Sequence, residues 1–133
     1  MSAFFDTNIL LYAQEPGPKA DRARGVLAGG GRLSVQVLNE FTAVARRLGR
    51  DWRAIDEAID DVLVVAGPPL PVTLDLHVAA RTLAETHRLS FYDALIVAAA
   101  LEAGCDTLFT EDMQHGRTIG TLHIQNPFIE SSP

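Results

Sequence analysis

One cysteine, one lysine and few aromatic residues are what this 133-residue chain has in short supply, and each scarcity excludes something. Cys105 has no partner for an internal disulfide, so nothing asks for an oxidising compartment, and its place directly before a strand reads as a small core residue. No lysine follows Lys19, which lies in a stretch rich in proline and glycine. Phosphoaspartate enzymes and signalling receivers also put an aspartate at the end of a first strand, but they use a lysine late in the fold. The haloacid-dehalogenase pattern further requires a second aspartate two residues after the first, where Asn8 stands. The glycines at 29 to 31 lack the following Lys and Ser or Thr of a phosphate-binding loop. There is no G-x-S-x-G nucleophile motif, and His77, His87, His115 and His123 show no zinc-binding spacing. Long apolar runs are missing too. The longest, Ala94 to Leu101, falls far short of the roughly 20 residues that cross a bilayer, and no basic region followed by a long apolar one opens the chain.

What is present predicts one soluble, cytoplasmic domain over residues 1–133, since 47% hydrophobic residues suffice for a full core. Formal net charge is -6, from 17 acidic and 11 basic residues, which argues against a nonspecific nucleic-acid coat. It leaves room for a metal-dependent phosphodiesterase, in which a knot of carboxylates is part of the excess.

Apolar runs and helical periods alternate as in an α/β fold. "SAFF" reads as a short buried strand, and after the turn-like "QEPGPKAD" a helix runs from about Ala20 to Ala28 and ends in "GGG". "RLSV" reads as a second strand, feeding a helix from about Val35 to Leu48 with Val37, Phe41, Val44 and Leu48 on one stripe. Asp51 caps a helix in which Trp52, Ile55, Ile59 and Val62 recur, and Thr73 caps one that runs to about His87. Ser90 caps "FYDALIVAAALEA", apolar nearly all round and stopped by Gly104. "DTLFT" and "LHIQ" read as strands separated by the polar loop "EDMQHGRTIG", and "ESSP" as a ragged end.

Four acids stand where an element starts or turns. Asp6 ends the first strand inside the apolar run "FFDTNILLYA", where an unpaired charge costs several kcal/mol. Asp112 follows "DTLFT" by two residues, Asp93 occupies the first turn of the apolar helix, and Glu40 flanks the buried stripe of its own helix. In a parallel sheet the C-terminal ends of the strands and the N-terminal ends of the following helices share one edge, so all four can converge there. Converging carboxylates repel, and a hard divalent cation such as Mg²⁺ or Mn²⁺ relieves the repulsion. Each acid also has a plainer reading: Asp93 as the capping acid three residues after Ser90, Asp112 and Glu111 as solvated loop charge, Glu40 as a residue at the rim of its helix.

The stretches "FFDTNILLYA", "SVQVLNEF", "LSFYDALIVAAAL" and "LFTEDMQHG", in this order and at these distances, resemble the four acidic motifs of PIN domains, specifically of VapC-type toxins of toxin–antitoxin pairs. The resemblance implies a three-layer α/β/α fold with a central parallel sheet, Mg²⁺- or Mn²⁺-dependent endoribonuclease activity on RNA, a VapB-type antitoxin whose C-terminal segment blocks the cleft, and a homodimer. It makes Asp6, Glu40, Asp93 and Asp112 the metal-binding catalytic acids. Thr7 and Asn8 match the polar positions that support the first acid, and Thr110 matches the hydroxyl residue that opens the fourth motif. Many relatives have Asn at the position of Asp112 and an acid three residues on, followed by Phe; here those later places hold His115 and Gly116. Phosphate contacts beyond the metal fall to Arg46, Arg47, Arg50 and Arg53, clustered after the Glu40 helix, with His115 and Arg117. The cluster's alternative is a solvated helix end. The rival reading of the whole chain is a noncatalytic PIN-like module that binds RNA or a protein, which would have no reason to assemble four carboxylates.

Overall fold

A computed structural model describes residues 2–129; the "ESSP" tail lies outside the described residues. The first strand, β1 (Ala3–Phe5), is buried throughout and stops at Asp6, whose extended backbone turns the chain into a short helix, α1 (Thr7–Ala13). The apolar run near the start of the chain therefore splits at its aspartate, with a strand before it and a helix after it. Asp6 is the helix N-cap, and its carboxylate accepts from the Thr7 amide.

Four helices follow: α2 (Pro18–Ala28), α3 (Val35–Arg47), α4 (Trp52–Val65) and α5 (Leu74–His87); α6 (Phe91–Glu102) leads into the last strands. Proline opens α2 at a position where its missing N–H costs nothing. The expected caps at Asp51, Thr73 and Ser90 are formed, each side chain accepting from the amide three residues on. Ser34 does the same for α3. Three expected stripe residues, Val44, Leu48 and Trp52, lie outside the core. Leu48 is 58% exposed because α3 ends at Arg47 and its buried line runs through Val37, Phe41 and Ala45. Trp52 is equally exposed at the first turn of α4, where the Arg46 guanidinium lies 4.7 Å from its ring centre.

The strands β2 (Thr107–Phe109), β3 (Thr118–Ile119) and β4 (Leu122–Gln125) complete a four-stranded sheet in the order β1-β2-β4-β3. β1, β2 and β4 are parallel, whereas β3 is antiparallel to β4, so the central sheet is mostly and not wholly parallel. Gly120, with φ of 59°, reverses the chain between β3 and β4, inside the segment expected to be one polar loop. The expected second strand at "RLSV" reduces to isolated bridges, because its pairing is divided between two neighbours: Arg32 pairs with Phe4, while Gly31 and Ser34 pair with Ala66 and Leu70. Gly31 is wedged against β1, where an added Cβ would lie 2.7 Å from the Ala3 carbonyl oxygen and from the Phe5 ring.

The helices form two packed sets, α1 to α4 and the α5–α6 pair, joined where α3 touches α6, which are the helical layers of an α/β/α arrangement. Seven consecutive residues of α6, Ala94 to Ala100, are buried, as an apolar helix at the centre of the fold requires. Phe4, Phe5, Ile9, Phe41, Ile96, Leu108 and Ile124 fill the core between helices and sheet. No helix among the described residues is long and apolar enough to cross a membrane.

Candidate active site

The register of β1 and β2 builds the site. Phe5 pairs with Phe109, so the next residue of each strand, Asp6 and Thr110, emerges side by side at the C-terminal edge of the sheet. The Asp6 amide donates to the Phe109 carbonyl at 3.0 Å, and the Thr110 hydroxyl donates to Asp6 Oδ2 at 2.6 Å. With the Thr7 amide on Oδ1, also at 2.6 Å, both oxygens of a carboxylate only 2% exposed have a donor. These donors do not fully offset desolvation. Burial pushes the Asp6 carboxyl from 3.8 up to about 7, the hydrogen bonds from Thr110 and Thr7 work against that rise, and the negative charges of Asp112 and Asp93 add to it.

Asp93 and Asp112 thus lie near enough for their charges to act on Asp6. Asp93 is half-buried in the first turn of α6, its amide donating to Ser90 Oγ at 3.2 Å. Its carboxyl is raised by burial, opposed by the Ser90 hydroxyl and reinforced by Asp112. Ser90 thus supplies the cap of α6, and Asp93 is an acid of its first turn. Asp112 is exposed, its Oδ2 accepting from Asn8 Nδ2 at 3.1 Å and its amide donating to Thr110 Oγ1 at 3.1 Å. Glu40 joins through Thr7, whose hydroxyl donates to Oε2 at 2.9 Å, while Gln36 reaches Oε1 at 3.4 Å. Thr7, Asn8 and Thr110 are accordingly the three polar groups that tie the acids to β1, α1 and β2.

Among the described residues, no three His, Cys, Asp or Glu side chains already stand close enough together to cage an ion. The acids are instead tethered to donors of the chain itself. Their chemistry nevertheless fits a hard divalent cation: the donors are carboxylate oxygens, and Asp6 and Asp93, raised chiefly by burial and in smaller part by neighbouring negative charge, would be favoured in their charged form by a cation.

The basic candidates are dispersed. Arg46 to Arg53 follow Glu40 by at least six residues, roughly 9 Å along the axis of α3, and several are engaged locally. Arg46 donates to the Arg50 carbonyl, Arg50 reaches Glu15 at 3.5 Å, and Arg53 pairs with Glu57; Arg47 is exposed. Arg117 donates to the His87 carbonyl, and His115 Nδ1 accepts from the Asn126 amide at 2.9 Å.

Sequence reasoning missed Glu111, Tyr12 and Lys19, which form a cluster beside Asp112. Burial alone would raise the Glu111 carboxyl, but hydrogen bonds from Lys19 and Tyr12 hold it below its ordinary value. The available signal was spacing, since Tyr12 lies four residues after Asn8 and so on the same face of α1.

The model of the PIN domain family matches residues 3–119. The chain belongs to the PIN domain family. Solved structures similar to it include a toxin–antitoxin complex from Klebsiella pneumoniae, with 21% identity over 96% of this chain and 98% of that one and a TM-score of 0.72. VapBC-1 from nontypeable Haemophilus influenzae superposes with a TM-score of 0.65 at 23% identity, again covering 96% and 98%. At such identities the likeness is one of fold. VapC20 of Mycobacterium tuberculosis, a sarcin-ricin loop cleaving toxin, is 28% identical over 84% of this chain and 92% of its own, with a TM-score of 0.65. No curated protein sequence matches the chain.

Proposed function

We propose that this PIN domain is an Mg²⁺- or Mn²⁺-dependent endoribonuclease and the toxin of a VapBC-type toxin–antitoxin module, acting in the cytoplasm. The observation that carries the reading is Asp6, a buried carboxylate lifted to about 7 while facing Asp93 and Asp112 at the ligand-binding edge of an α/β sheet. The likeness to an RNA-cleaving toxin supports the choice of RNA over other phosphodiesters.

Asp6 and Asp93 are the direct ligands in this reading. Glu40 is a ligand or an acceptor for a bound water, and Asp112 a ligand of a weaker second ion. When bound, the cation supplies charge neutralisation and Lewis acidity toward a water and the scissile phosphodiester. Thr110 and the Thr7 amide aim the two oxygens of Asp6, Thr7 aims Glu40, and Asn8 aims Asp112, so that the acids keep their orientation when the repulsion between them is relieved. Phosphates flanking the cut need cations from the chain. His115 and Arg117 follow Asp112 closely in sequence, and Arg46, Arg47, Arg50 and Arg53 extend the basic surface at the end of α3. The antitoxin would place an arginine of its tail among the same carboxylates, and the toxin would act as a homodimer.

The test is total cellular RNA incubated with the antitoxin-free chain under Mg²⁺, Mn²⁺ or EDTA, beside Asp6→Asn and Asp93→Asn, with sequencing of the new ends. Metal-dependent cuts at a few sites, lost in both variants, are the expected result. Intact RNA throughout, with no metal-induced rise in melting temperature, would turn the assignment to a noncatalytic module that binds RNA or a protein.

A further inference from the structure

Glu111 stands between Thr110 and Asp112, two groups of the carboxylate site, yet its own side chain is engaged elsewhere. Oε1 accepts from the Tyr12 hydroxyl at 2.6 Å and Oε2 from Lys19 Nζ at 2.6 Å, so each oxygen has its own donor. Tyr12 and Asn8, one turn apart on α1, grip the same turn at different points. Asn8 Oδ1 accepts from the Glu111 amide at 3.1 Å and Asn8 Nδ2 donates to Asp112, while Tyr12 holds the Glu111 carboxylate. Lys19 closes the cluster from the start of α2, with its ammonium 4.6 Å from the Tyr12 ring centre and 5.4 Å from that of Phe128. The Phe128 ring meets Tyr12 edge-on at 4.9 Å. Four separate pieces of chain, α1, α2, the turn after β2 and the stretch after β4, therefore meet around one glutamate.

An ion pair whose lysine side chain is 49% exposed adds little to global stability, so stability is a weak reason for this arrangement. Orientation is a stronger one. Two neighbouring acids on a short turn compete to face the same centre, and the one whose oxygens are both occupied is withdrawn from the competition. We infer that Lys19 and Tyr12 are positioning residues: by holding Glu111 they set the 110–112 turn so that Asp112, and not Glu111, is presented to the carboxylate centre. The inference deepens the metal-dependent reading and rests on it.

Two measurements on the full chain test it: Mn²⁺ binding followed by the electron paramagnetic resonance of free Mn²⁺, and hydrogen exchange of the Glu111 and Asp112 amides in metal-free protein. Lys19→Met and Tyr12→Phe should each weaken Mn²⁺ binding by about three- to tenfold, at or below the lower end of what outer groups around a metal contribute, and Lys19→Arg should restore it to within about twofold. In an Asp112→Asn background the same changes should cost nothing further. An undiminished affinity, or an equal loss with and without Asp112, overturns the proposal. The two amides should exchange about tenfold faster in Lys19→Met, since the turn is freed from one of its anchors; unchanged protection also overturns the proposal. A wild-type chain that binds no Mn²⁺ overturns the metal reading and, with it, the inference that rests on it, whereas normal wild-type binding with unaffected variants overturns the inference alone.

Discussion

Asp6 and Asp112 share one support, Thr110, whose hydroxyl donates to the Asp6 carboxylate and accepts from the Asp112 amide, yet they stand in opposite surroundings. Asp6 is enclosed, with a donor on each oxygen, and its proton affinity is dominated by lost hydration. Asp112 is open to solvent, and its orientation depends on one amide from Asn8 and on a turn anchored by its neighbour Glu111. At the enclosed end rigidity comes from burial and charge is costly. At the open end charge is well solvated and rigidity has to be supplied by side chains reaching across from α1 and α2.

The sharpest way to separate the two ends is pH. The folded protein retains the Asp6 proton up to about 7, whereas the unfolded chain gives it up near 3.8. Stability from this group is fully present below the unfolded value and is lost as pH rises through the folded one. Metal-free protein should thus lose at most about 4 kcal/mol between pH 4 and pH 8, at roughly 1.4 kcal/mol for each pH unit that separates the folded from the unfolded value. Chemical denaturation across that range should show a slope that Asp6→Asn removes for the most part and Asp112→Asn reduces only slightly; a slope unchanged by Asp6→Asn would erase the distinction. Activity comes next. Loss of Asp6 should lower RNA cleavage by more than about a hundredfold, above the range that outer groups around a metal reach, and loss of Asp112 by about tenfold, as measured in single-turnover assays at saturating Mn²⁺. Equal losses would mean that the metal depends on the open acid no less than on the enclosed one.

Smaller effects should come from the side chains that support the two acids. Thr110→Val strips Asp6 Oδ2 of its donor in a buried place and should cost about 2 kcal/mol of stability at pH 8, read from urea denaturation. Asn8→Ala acts mainly on the exposed end and should cost no more than about 1 kcal/mol, while lowering Mn²⁺ affinity. A larger stability loss from Asn8 than from Thr110 would reverse the contrast.

Caps carried much of the legible fold. Asp51, Thr73 and Ser90 were readable because a side chain that accepts from its own helix acts within four residues; Asp6, Asp93 and Asp112 stood out as acids at or just beyond element boundaries, and Glu40 as one flanking the buried stripe of α3. The α1 helix was hidden, since seven residues that are apolar on most faces fit a strand as readily as a helix, and only packing against α2 and α3 decides. The segment at 32–35 has the composition of a strand but divides its partners, which is a property of the neighbours and not of the segment. The pair β3 and β4 depends on one glycine within a polar stretch. The cluster around Glu111 joins residues about a hundred positions apart in the chain, and the spacing of Asn8 and Tyr12 on one face of α1 does not say what they meet.

Lys19 is the single lysine of the chain, and its ammonium is hydrogen-bonded to Glu111 and Tyr12, which holds its proton more tightly than usual. An acylating reagent attacks only the neutral amine, which forms more readily when the side chain leaves the cluster. The rate of its acylation is therefore a clock for how often the turn beside Asp112 comes loose, and it needs no mutation to read.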